Sequence, residues 1–211
     1  MKKRYKLLLT IIVVAIILII GLLVFKKITN NDAKSNVKVV DSIVEFSYTL
    51  DERDTSLMKE NYKELKKILK EDEINYEEYS KSIAKLFIID LYTLDNKINK
   101  YDVASLEYVY PDSVDNFKLN VEDTLYKALE DNTYGKRTTT LPIVSSIEVT
   151  SVTSDKFTLN DEEVDSYVVS LKWDYEEDLG YDNGGVVTLI KENKKVYVVE
   201  YKAGALDEES D

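Results

Sequence analysis

The sequence predicts an α+β domain carried behind one transmembrane helix. Three observations carry this: a single long uncharged run near the start, helical periodicity through the middle, and β-alternation confined to the last third.

Taken in order, Met1 to Lys6 is a basic stub containing Lys2, Lys3, Arg4 and Lys6. Residues 7–25 read LLLTIIVVAIILIIGLLVF without a charge. At ~1.5 Å rise per residue such a helix spans close to the ~30 Å hydrocarbon core. Its length and the Lys26-Lys27-Ile28 that follows fit an uncleaved anchor better than a cleaved secretory signal, which ends in small residues. The basic stub places the N-terminus in the cytoplasm and the remainder outside it, with the lipid bilayer as the partner of residues 7–25. Residues 26–38, polar from Thr29 onward, suit a linker lifting the domain at 39–202 off the membrane.

Val39 to Tyr48 mixes Val40, Ile43, Val44 and Phe46 with polar residues in a way that fits either a short helix or a strand. From Asp54 to Leu69, Met58, Tyr62, Leu65 and Leu69 share one helical face, with Asp54 as the expected N-cap. Asn75 followed by Glu78 resembles a capping box opening a second helix with Tyr79, Ile83, Leu86 and Phe87 in register. That helix ends in LFIIDLYTL, apolar nearly all round except Asp90, which predicts central burial. Val103 to Tyr110 fits a short strand or an extended passage, stopped by Pro111. Asp112 or Ser113 then caps a third helix with Val114, Phe117, Val121, Leu125 and Ala128 on one face, ending near Asp131 to Gly135. Strands follow at Ile143–Val152, Lys156–Leu159, Asp165–Tyr175, Val186–Lys191 and Lys195–Tyr201, the last two joined by a hairpin at Glu192-Asn193-Lys194. Residues 203–211 have no apolar period and read as a disordered acidic tail.

Composition narrows the chemistry. With no His and no Cys, the chain has no Ser-His-Asp or Cys-His nucleophile, no disulfide and no zinc site of the usual ligands. Beyond the span, 24 basic residues face 40 acidic ones, a net of minus 16, so nucleic acid is not an expected partner. The crowded carboxylates of Asp174–Asp182 invite Ca²⁺, but an EF-hand loop begun at Asp174 would need Gly and Glu where Leu179 and Gly185 stand. Asp182-Asn183-Gly184-Gly185 equally suits a tight turn. No metal and no cofactor is expected, and no catalytic set is identified. Candidate ligand-binding residues are Asp90 and Tyr92 on the second helix and Tyr167 and Trp173 on a strand. For Asp90 the alternative is a structural bond to a backbone donor, a Tyr or a Lys.

The order of basic stub, transmembrane helix, linker, three helices and antiparallel meander over Val39–Tyr201 resembles the membrane-anchored domains of the nuclear transport factor 2-like fold. Such domains occur in assembly components of bacterial type IV secretion and conjugation machines. The MKKRYK start and the Lys-, Ile- and Asn-rich usage are also similar to small single-pass proteins of Gram-positive bacteria. The resemblance implies a cone-shaped domain that meets protein partners in the cell envelope. In other settings the same cone houses small ligands or acid-base catalysis, for which Asp90 and pocket tyrosines would be the working groups.

Overall fold

A computed structural model of the chain describes residues 37–204. The stub, the apolar run 7–25, the linker as far as Asn36 and residues 205–211 lie outside the described residues. Among the described residues no helix is long and apolar enough to cross a membrane.

Val39–Ile43 (β1) and Tyr48–Asp51 (β2) form an antiparallel hairpin around a 3-10 turn at Val44–Phe46, with Ser47 in the left-handed region at φ 57°. The segment that fitted either helix or strand is thus mostly strand, and its alternation buries Tyr48 and Leu50 while Thr49 stays exposed. Ser56–Ile68 (α1) is capped by Thr55, whose hydroxyl accepts the Met58 N–H at 3.2 Å. Asp54, the expected cap, instead accepts the N–H of Asp51 at 2.6 Å and closes the preceding turn. Tyr76–Tyr92 (α2) starts at Asn75, which accepts from the N–H groups of Glu77 and Glu78. Val114–Asp123 (α3) is shorter than its periodicity predicted. The Thr124 hydroxyl donates to Asn120 O at 2.7 Å, and the Tyr126 N–H reaches back five residues to Val121 O. A β-branched residue competing for helix carbonyls ends the helix there, and the buried Tyr126, donating to Leu91 O at 2.9 Å, fixes the chain beyond it.

Val144–Leu159 (β3), Glu162–Tyr175 (β4), Gly184–Glu192 (β5) and Lys195–Ala203 (β6) make one antiparallel sheet in that order. The two segments expected around Val152 and Phe157 are a single strand, with bulges where β3 shifts against β4. Asn160 and Asp161, both at positive φ, form the two-residue turn between β3 and β4, the backbone that Asn and Asp tolerate best. β6 runs to Ala203, one residue into the expected tail.

Helix α2 lies on this sheet and touches all four strands. Leu86, Phe87, Leu91 and Tyr92 are buried in one core with Val169, Leu171, Trp173, Val187, Leu189 and Val198. Gly185 is required where β5 and β6 meet. A Cβ at this position would lie 2.7 Å from Lys202 O and 3.1 Å from the Tyr201 ring. Gly185→Ala is expected to cost about 1–3 kcal/mol of stability by forcing the two strands apart. Urea unfolding followed by the fluorescence of Trp173, the chain's one Trp, measures this; an unchanged midpoint would contradict the register.

Candidate functional site

A cleft of about 590 Å³ separates α3 from β6. Its helical wall is a single face, because Ser113, Asn116, Phe117, Asn120, Val121 and Thr124 recur at three- and four-residue spacing. Tyr92, Phe117, Val109 and Tyr201 give it an apolar floor, and Asn116, Asn120, Asp182 and Glu200 give it a polar rim.

The floor is a run of aromatic contacts whose polar tips are paired. The Tyr201 hydroxyl donates to the Tyr92 hydroxyl at 2.7 Å. Phe87 meets Phe117 at 5.7 Å and Tyr201 at 5.5 Å between ring centroids. Trp173 packs beneath the cleft against Tyr92 at 5.0 Å, and its Nε1–H donates to the Tyr175 hydroxyl, which donates in turn to Asp182 O. Burial pushes the Tyr92 hydroxyl up to about 12 and raises those of Tyr175 and Tyr201 further. All three therefore stay protonated at neutral pH. The protons of Tyr175 and Tyr201 are already donated to Asp182 O and to Tyr92, so the three hydroxyls brace the floor and supply no base.

Of the residues singled out in the sequence, Tyr92 and Trp173 come together here. Asp90 and Tyr167 lie elsewhere. Asp90 precedes Tyr92 by two residues, about 200° around the helix. It faces the loop after α2, where it binds buried Lys97 at 2.8 Å and accepts the Ser105 N–H at 2.7 Å and hydroxyl at 3.2 Å. Tyr167 lies six residues before Trp173 on β4, about 20 Å along the strand, in register with Ser154 and Leu189. In the acidic segment that begins at the end of β4, Asp174 accepts from Ser146, its neighbour across the β3–β4 ladder, and Asp178 from the Gly180 N–H. Among the described residues no three carboxylates converge as a metal site would require.

Sequence reasoning passed over Glu107 and read Asp54 only as an N-cap. Glu107 accepts the N–H and hydroxyl of Thr49, and burial pushes its carboxyl up to about 7. Burial, with Asp90 nearby, pushes Asp54 up to about 6. The signal for Glu107 was present as one acid between Leu106 and Tyr108 in an otherwise apolar passage.

Compared with known proteins, the chain matches no family model, no curated protein and no solved structure.

The two raised carboxyls set a pH dependence. Their pKa values are higher folded than unfolded, so the folded state holds extra protons between about pH 4 and pH 7, and stability falls as pH rises through that window. Glu107→Gln is expected to flatten about half of this slope, leaving the share of Asp54, and to add on the order of 1–3 kcal/mol at pH 7.5, read by urea unfolding at several pH values. A slope unchanged by the substitution would contradict the assignment.

Proposed function

We propose that this chain is a single-pass membrane protein whose α+β domain stands outside the cytoplasm, forms a nuclear transport factor 2-like cone, and binds protein partners through the cleft between α3 and β6. The observation that carries the binding role is the cleft itself, an apolar aromatic floor inside a polar rim, which is the anatomy of a recognition patch. The uncharged run at 7–25 behind a basic stub supports the anchor and its orientation. The acidic outer domain favours basic partners over nucleic acid. A small-ligand or hydrolytic role for the same fold has the cleft volume in its favour, since small-molecule sites are of this size. The hydrolytic version loses its acid, because Asp90 faces the other side of α2 and is occupied by Lys97 and Ser105.

Proteinase K added to intact cells is expected to degrade the domain. Survival in intact cells with loss after lysis would contradict the outward orientation. A photo-crosslinking residue at Asn116, on the rim, is expected to yield a discrete protein adduct in cells, and the same group at Glu148 on β3 is not. The opposite pattern, or no adduct from Asn116, would overturn the cleft as the binding surface.

A further inference from the structure

The edge of the sheet at β6 is only half covered. Residues 108–110 run beside it in parallel, where the Val198 N–H donates to Tyr108 O at 2.8 Å and Val198 O accepts the Tyr110 N–H at 2.9 Å. This is the beginning of a fifth strand. Pro111 ends it by opening a 3-10 turn at Pro111–Ser113, which leads directly into α3. The chain thus leaves the sheet edge just where the strand would continue. From Val199 to Ala203, about 13 Å of β6, no strand lies on the side away from β5 among the described residues. The space the fifth strand would occupy is the cleft, walled on its far side by α3.

Resting on the binding-module reading of this cleft, we infer that it is a strand-addition site, in which a basic, extended segment of a partner protein pairs with the outer edge of β6 from Val199 to Ala203. Unpaired edge groups are a template for an added strand, and backbone hydrogen bonds would supply affinity while side-chain pockets supply choice. A strand's alternation sends every second side chain toward the floor of Tyr92, Phe117 and Tyr201, which suits an apolar residue. Its polar positions meet a rim whose charged residues are Asp182 and Glu200, with no Lys or Arg lining the cleft. Glu200 also pairs with Lys202 at 3.2 Å, an exposed contact that competes little with an incoming cation. Charge therefore selects a basic segment. It disfavours the chain's own residues 205–211, ALDEESD, as the occupant.

The test uses the full chain in detergent and three eight-residue peptides: alternating Lys and Val, alternating Glu and Val, and the Lys/Val peptide with alternate backbone amides N-methylated. Trp173 reports binding through its contact with Tyr92. The Lys/Val peptide is expected to bind at least ten-fold more tightly than either of the others. Asn120→Phe, which fills the cleft from an exposed position on α3, is expected to weaken it ten-fold or more. The double substitution Asp182→Lys and Glu200→Lys is expected to exchange the Lys/Val preference for Glu/Val, and since both positions are exposed the fold is retained. Equal binding of the N-methylated peptide would reduce the effect to charge attraction and overturn strand addition. Binding that appears only after deletion of residues 205–211 would make the tail the occupant and overturn the proposal. A discrete adduct from Asn116 with no peptide binding would overturn strand addition while leaving the binding module standing; loss of both results would remove the module as well.

Discussion

The structure is organised by the need to cover α2. From Tyr79 to Tyr92 this helix buries Ile83, Leu86, Phe87, Ile88, Ile89 and Leu91, and solvent reaches its first half along Glu77, Glu78, Lys81 and Lys85. The four-stranded sheet covers one face, α1 packs on another, and the β1–β2 hairpin joins the core through Tyr48 and Leu50. The loop after α2 is held down by Asp90, the one carboxylate in the apolar run, through Lys97 and Ser105. Removing one partner of such a pair would strand a charge in a poorly solvated place, so Asp90, Lys97 and the loop path are linked. A charge that looks catalytic in the sequence acts as a latch.

Tyrosines make this core specific. A buried ring contributes apolar area, but its hydroxyl must find a partner or cost on the order of 1–3 kcal/mol. Here Tyr48 and Tyr79 share a bond at 2.7 Å, Tyr62 donates to Tyr48 O, Tyr126 donates to Leu91 O, and Tyr92 and Tyr201 bind each other. Each bond ties one element to another: hairpin to α2, α1 to hairpin, the segment after α3 to α2, and β6 to α2. The last of these also forms the floor of the cleft, so the same pairing that fixes β6 against the helix shapes the surface on which a ligand would rest.

Much of this layout was legible in the sequence, where the chain's local patterns are strong. The Met58, Tyr62 and Leu65 stripe, the Asn75 cap and the alternation of Val169, Leu171 and Trp173 each follow from local periodicity or capping chemistry, although Glu78, expected to complete a capping box with Asn75, pairs with Lys81 instead. What local patterns do not encode is partner choice across the chain. Thr55 rather than Asp54 caps α1 because Asp54 is drawn to the turn at Asp51. The third helix stops at Thr124 because Tyr126 is pulled beneath Leu91, a contact 35 residues distant in sequence. The cleft was legible only through Tyr92 and Trp173. Its other wall depends on Pro111 turning the chain away from β6, which requires knowing that residues 108–110 lie beside Val198.

Amide hydrogen exchange along β6 of the full chain tests most directly the claim that a fifth strand is begun at Val198 and left unfinished beyond it. The Val198 amide, bonded to Tyr108 O, is expected to exchange slowly, as are the amides of α2. The amides between Val199 and Ala203 that point away from β5 are expected to exchange orders of magnitude faster. Uniform protection along the outer edge as far as Ala203, or rapid exchange at Val198 itself, would contradict the account.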